Sequence, residues 1–297
     1  MNQPVYRLPA ALRQIPPLPQ VALRAMALIR DPESSRTALA QVLSLDQGMT
    51  GRFLSMVNSA YYGLSRRITS VDEAIGFLGY DRVNQAVVAA SALPYITRPL
   101  AAYALDGAMS WHHAVAVASG ADFIARVRGL PQTDAYVAGL LHDVGKLALD
   151  ILLQRRSVWP TDTEDDGEAE AWTAVERHTT GHDHAELGAA IVRSWNLPDR
   201  VVAAVGFHHA PSEAGEDLPF AALVHIANAA ALMGGIGLGI DGLRHTLDPG
   251  AFACLAWREA DMFTLIERMQ SAVEDAKAML RSGNGRSRRP EPPFTGK

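Results

Sequence analysis

Ala138-Gly-Leu-Leu-His142-Asp143-Val-Gly145-Lys146-Leu-Ala-Leu149 interrupts an apolar helical run with adjacent chargeable residues. An imidazole beside a carboxylate offers one nitrogen and one oxygen ligand of the kind that borderline divalent metals accept. Neighbours on a helix point about 100° apart, so both can reach one ion only near a helix end. Gly145 supplies such an end, because glycine accepts the left-handed conformation that commonly closes a helix. Lys146 is then expected just past that end, as a mobile cation. Alone, the His-Asp pair does not separate a metal site from a solvated or capping pair, and further ligands have to decide.

Working outward, the chain holds ten histidines, and the faces they occupy are informative. His113 shares a helical face with Ala116, Val117, Gly120 and Ile124, so its ring is expected to point into the core. His184 leads Leu187, Gly188, Ile191 and Trp195 along another apolar face. His208 and His209 follow Val201 by seven and eight residues, and Asn228 lies midway between Val224 and Leu232. Several desolvated polar groups in one core cost roughly 1–3 kcal/mol each unless a shared metal or a coupled polar network satisfies them. His112, His178, His182, His225 and His245 lack a consistent apolar face and are left outside the site.

The surrounding pattern is helical. Ile15-Pro-Pro-Leu-Pro19 reads as an extended lead-in, because its prolines cannot sit in a helix interior. Val21 to Ile29, then Leu39, Val42 and Leu43, then Met49, Phe53, Leu54 and Val57 repeat at helical spacing. Ser70-Val-Asp-Glu73 has the form of a capping box opening a helix that Gly79 closes. No segment shows the apolar-polar alternation of a half-buried strand, so the fold class is all-α. A division near Arg98-Pro99 separates an amino-terminal helical lobe, residues 8–98, from a larger one, residues 99–280. The last helix is expected from about Glu259 to Leu280, with Phe263, Ile266, Val273, Ala276 and Leu280 on its packing face.

Two stretches look like ligand sites and are read otherwise. The acidic run Thr161 to Glu170 lacks a calcium-loop pattern and is expected as a surface loop. Gly234-Gly-Ile-Gly-Leu-Gly239 has no Walker lysine and reads as a turn between helices. Residues 281–297 carry five basic residues against one acid and too few apolar ones to pack, so they are expected to be disordered.

At 297 residues, 48% hydrophobic and 20% charged, the composition is that of a globular protein with a substantial core. A net charge of −5 argues against a surface built to grip nucleic acid, the basic tail excepted. The apolar runs are too short to span a bilayer, and no signal peptide opens the chain. Cys254 is the single cysteine, so no internal disulfide forms, and a cytoplasmic location is expected.

From about Leu8 to Leu280 the chain resembles the HDOD family, the HD-related output domain of bacterial signalling, a relative of the HD metal-dependent phosphohydrolases. Ile15-Pro-Pro-Leu-Pro19, Asp46-Gln-Gly-Met-Thr-Gly-Arg-Phe-Leu54, Val57-Asn-Ser-Ala-Tyr-Tyr-Gly63 and the Ile68 to Gly79 stretch resemble its signature lobe. Trp111-His-His113, Gly139 to Lys146, His184-Ala-Glu-Leu-Gly188, Trp195-Asn-Leu-Pro198 and His208-His209 resemble its HD-like core. The resemblance implies a two-lobed helical fold. It also implies that His113, His142 and Asp143 are metal ligands and that the expected final aspartate falls on Asn228, a weaker, neutral donor. His184, His208 and His209 match the extra histidines with which HD-GYP enzymes hold a second metal, whereas the GYP segment is missing.

The expected cofactor is a divalent metal (iron, manganese or zinc), mono- or dinuclear. The expected function is signal transduction through a regulatory protein partner or a nucleotide-like ligand, without turnover and without a membrane. The alternative is a metal-dependent phosphohydrolase acting on a nucleotide or cyclic nucleotide, with Asp143 and Lys146 as its catalytic residues.

Overall fold

The structure, a computed structural model, describes residues 12–156, 171–241 and 245–284. Short capped helices open the chain: α1 (Gln20–Arg30), α2 (Arg36–Ser44) and α3 (Gln47–Val57). Ser35 accepts from the Ala38 amide, and Asp46 from the Met49 amide at 2.9 Å, each satisfying an amide that the first helical turn leaves without a partner. Asn58 pins the turn after α3, accepting from the Ile68 amide at 2.7 Å and donating to the Ile68 carbonyl at 2.8 Å.

The capping box forms as its spacing predicts. Ser70 Oγ accepts from the Glu73 amide, and Glu73 accepts from the Thr69 amide. Gly79, at φ 72°, ends that helical segment, but the chain resumes helix at once, so α4 (Val71–Ile96) is a pair of segments joined by a kink. An isolated antiparallel bridge between Leu100 and Leu105 leads into α5 (Gly107–Arg128), which Asp106 caps and Gly129 closes.

The remaining helices are α6 (Gln132–Leu141), α7 (Lys146–Arg156), α8 (Trp172–Thr180), α9 (His184–Ser194), α10 (Asp199–Phe207), α11 (Leu218–Met233), α12 (Pro249–Cys254) and α13 (Glu259–Asn284). No strand occurs among the described residues, and the fold is all-α. The long α5 is central, packing against α6, α11 and α13. One apolar core runs from Leu18 to Ala276, with Phe53, Trp111, Ile124 and Trp195 buried in it. Burying each such side chain contributes roughly 1.5–3 kcal/mol.

The packing face of α13 includes Val273 and Ala276, as expected, with Ile266 partly buried against the core, but departs from the expected one at Phe263. Phe263 is 74% exposed, whereas Met262, Leu265, Met269, Ala272, Val273 and Ala276 are buried. The buried stripe follows spacings of three and four from Met262, one residue away from the register that Phe263 implied. This helix also continues to Asn284, past the expected boundary at 281. The acidic run 161–170 and residues 285–297 lie outside the described residues.

Candidate metal centre

His142 and Asp143 leave α6 at its carboxyl end, as the helix-end requirement predicts, but Gly145 acts differently from the expected left-handed cap. Its φ is not positive, and Lys146 opens α7 rather than trailing as a mobile cation. Gly145 is required by proximity: a Cβ there would collide with the His184 carbonyl oxygen and the Gly188 amide. Its missing side chain lets α9 lie directly against the turn that carries His142 and Asp143.

Four imidazoles converge on the Asp143 carboxylate. His142 Nε2 lies 3.4 Å and His113 Nε2 3.8 Å from Oδ2, while His184 Nε2 lies 3.4 Å and His208 Nε2 4.0 Å from Oδ1. Each ring is held from behind through Nδ1. His113 donates to the Ile236 carbonyl at 2.9 Å, His142 to Gly139 at 2.8 Å, and His208 to Val205 at 2.8 Å. His184 donates to the Glu176 carboxylate at 2.7 Å. With Nδ1–H engaged by an outer acceptor, Nε2 is the ring nitrogen that faces Asp143 in all four, and it is the nitrogen that binds a metal when the ring is neutral. His209 joins the second half of the cluster, its Nε2 being 2.9 Å from that of His184.

Two groups of potential ligands result, His113 with His142 and Asp143, and His184 with His208 and His209. Asp143 lies between them, one oxygen toward each. Asn228 is buried and lines the same cavity of about 550 Å³, together with Lys146 and Asp241.

The electrostatics separate the histidines. Burial, aided by the neighbouring His142, pulls His113 down to about 4. Burial and adjacent imidazoles likewise push His208 and His209 well below the usual histidine range. His184 moves the other way: burial opposes its charge, but the Glu176 carboxylate and its hydrogen bond outweigh that and raise it. Burial also opposes ionised Asp143, yet His142 and Lys146 hold it well below the usual carboxylate range. Lys146 is not free, because its ammonium is clamped between Asp143 at 2.7 Å and Asp241 at 2.6 Å.

The donor set fits a divalent metal on one observation in particular. His142 Nε2, His208 Nε2 and Asn228 Oδ1 are buried with no hydrogen-bond partner among the described residues. Each such atom costs roughly 1–3 kcal/mol if nothing engages it. Imidazole nitrogens with a carboxylate are the ligand chemistry that zinc, iron and manganese accept.

Important groups escape the sequence reading. Glu176, 1% exposed, takes the His184 ring and amide and also accepts from Tyr103. Its position, four residues from both Trp172 and Thr180 on a buried face, was an available signal. His245, set aside for want of an apolar face, lines the cavity, its ring 5.3 Å from that of His209. His225 is buried but occupied, donating to the His208 carbonyl and accepting from the Asp248 amide, both within 2.9 Å. The glycine-rich segment after α11 is a turn, as expected, but one that places the Ile236 carbonyl behind His113.

The sequence profile of the HDOD domain matches residues 15–211. The chain belongs to the HDOD family. An uncharacterized protein of Treponema pallidum (strain Nichols) is 27% identical over 226 residues, covering 72% of this HDOD chain and 41% of the relative. The chain therefore spans about two fifths of that relative's length. Among solved structures, a protein of Marinobacter aquaeolei VT8 provisionally named for signal transduction superposes with a TM-score of 0.69 at 23% identity, covering 96% of this chain and 61% of that one. A protein of Shewanella amazonensis SB2B provisionally named a metal-dependent phosphohydrolase gives 0.55 at 18% identity, covering 88% and 95%. These similarities establish a shared HDOD-type helical fold. Among the described residues no helix is long and apolar enough to cross a membrane.

Proposed function

We propose that this HDOD protein is a signalling module whose histidine–aspartate centre holds one or two divalent metal ions, and that it acts by binding a protein or small ligand rather than by turnover. The observation that carries the metal assignment is the common orientation of His113, His142, His184 and His208, each tied back through Nδ1 with Nε2 directed at Asp143. His113, His142 and Asp143 would hold one ion, and His184, His208 and His209 a second, with Asn228 as a weak neutral donor. When bound, such an ion supplies a Lewis acid for a phosphoryl or carboxylate oxygen.

Two features favour regulation over hydrolysis. Asn228 removes a negative charge from the donor set, and Asp241 occupies the Lys146 ammonium that would otherwise meet a phosphate. The division at Arg98-Pro99 belongs to the same proposal: every residue of the centre lies on or between α5 and α12, and none on α1 to α4. We also read the location as cytoplasmic.

The second reading, a phosphohydrolase using Asp143 and Lys146, draws on the cavity beside those two side chains and on the Shewanella relative's name. Elemental analysis of the purified chain and of His142→Ala, with a phosphodiesterase screen in added manganese or iron, separates the readings. Metal in the parent protein, lost from the variant, with no turnover of nucleotides or cyclic nucleotides is the expected result. Robust turnover abolished by His142→Ala establishes the hydrolase instead, and absence of metal under all loading conditions defeats both.

A further inference from the structure

The glycine-rich stretch after α11 runs on to Asp241, which reaches into the cavity at Asp143. We propose that residues 237–241 form a releasable latch, in which Asp241 occupies on Lys146 the place of a phosphate-bearing ligand, so that ligand and latch exclude one another. The proposal rests on reading the centre as a metal-bearing ligand site, and adds to it the ligand's chemistry and a moving part that reports binding.

Among the described residues, Lys146 is the one lysine or arginine that lines the cavity. Its ammonium meets Asp143 at 2.7 Å and Asp241 at 2.6 Å. Asp143 belongs to the centre, whereas Asp241 is a member of neither group of metal ligands. His184, whose charged form is favoured, is balanced by Glu176. Two carboxylates against one ammonium repel an anion. With a divalent ion bound the cavity favours an anion, but the ammonium is open to it only when Asp241 leaves. A phosphate dianion carries twice the charge of the Asp241 carboxylate and is the group that a lysine ammonium binds as a point charge, so it is the ligand fit to displace it.

The latch is pressed close but weakly tied. A Cβ at Gly237 would lie 2.7 Å from the His113 Cβ and the Met109 carbonyl oxygen, and one at Gly239 2.7 Å from the Tyr103 carbonyl oxygen. Glycine at both positions is what lets the backbone lie against the centre. The near end is anchored, because Ile236 is buried and its carbonyl accepts from His113. Beyond Ile236, two hydrogen bonds among the described residues tie the segment to the rest of the chain. The Ile240 amide donates to the Tyr103 carbonyl at 3.2 Å, and Lys146 donates to Asp241. Ile240 itself is only half-buried, and Gly237, at φ 65°, stands between the anchored and the weakly held parts. Few ties beyond a glycine are the conditions for local opening.

The test uses the full chain loaded with manganese and freed of excess metal. Inorganic phosphate and acetate are the probes, with calorimetry for affinity and hydrogen exchange for residues 236–241. Phosphate should bind saturably and speed exchange of the Ile240 amide by about tenfold or more, whereas acetate, with the single charge of Asp241, should do neither. Asp241→Asn should speed that exchange without ligand and tighten phosphate by about tenfold, which corresponds to a latch closed for about nine-tenths of the time. Gly239→Ala keeps every charge but forces a methyl against Asp241 Oδ1 and the Tyr103 carbonyl oxygen, and it should act in the same direction. Both variants should hold as much manganese as the parent. The proposal is overturned if phosphate binds neither the parent nor Asp241→Asn, or if it binds without speeding exchange at 236–241. It is equally overturned if Asp241→Asn leaves affinity within about twofold, or if Asp241→Asn tightens phosphate and Gly239→Ala does not, which is charge repulsion without a latch. Failure to load manganese defeats the metal reading instead. The latch is then judged on the metal-free chain, where faster exchange at 236–241 in both variants supports it and unchanged exchange overturns it.

Discussion

The Nδ1 of His184 lies 2.7 Å from a carboxylate oxygen of Glu176, and both side chains are about 1% exposed. This buried pair orients the ring whose Nε2 faces Asp143, and it draws in Tyr103, which donates to the same carboxylate at 2.7 Å. Glu176→Gln keeps an acceptor but removes the charge that raises His184. It should weaken metal affinity by about 10–100-fold, measured by competition with a chromophoric chelator. Unchanged affinity would show that Glu176 serves packing alone.

Asn228→Asp introduces a carboxylate on the face of α11 that meets the cavity. Metal retention after dialysis against a weak chelator should rise, because a charged oxygen binds a hard or borderline dication better than an amide does. Equal retention in the two proteins would remove Asn228 from the ligand set.

Gly145→Ala alters no ligand and adds a single methyl. Because that methyl collides with backbone on α9, His184 and Gly188 must move, at a cost of about 1–3 kcal/mol. Denaturant titration should register the loss, and metal content should fall with it. A variant as stable as the parent would contradict the close approach of α9 to the His142-Asp143 turn.

Asp122 provides a pH dependence remote from the metal centre. Burial raises its carboxyl above the usual range, despite the opposing charge of Arg82 and a 3.1 Å hydrogen bond from Gln85. A carboxyl whose folded pKa is raised contributes its stability below the unfolded pKa and loses it as pH rises through the folded pKa. Asp122→Asn, which keeps an oxygen for Gln85, should therefore be the more stable protein at pH 7. Its advantage should shrink as pH falls toward the ordinary carboxylate range, and thermal melts across that interval check the sign.

Local pattern carries the elements well. Ser70 and Glu73 form their capping box, Gly79 breaks the helix where expected, and the four residues beyond His184 at helical spacing, Leu187, Gly188, Ile191 and Trp195, are buried. The departures lie where register or long-range contact decides. Phe263 reads as apolar and helical in isolation, but docking α13 through Met262, Leu265 and Met269 turns it outward. His245 has no apolar face of its own and reaches the cavity because the segment after α11 folds back over it.

By itself, the sequence determined that the chain is helical, that His113, His142, His184 and His208 lie on or beside buried faces, and that Asp143 leaves a helix end with His142. Each of these is set by spacing within one element. Only the tertiary structure decided that the histidines meet around Asp143, that Glu176 and the Ile236 carbonyl hold two of them from behind, and that Asp241 clamps Lys146. Glu176 and Tyr103 are 73 residues apart, and Lys146 and Asp241 are 95 apart. Helical periodicity states which face is buried. Which distant face is pressed against it depends on how the helices pack, and at Gly145 that packing requires the absence of a single methyl group.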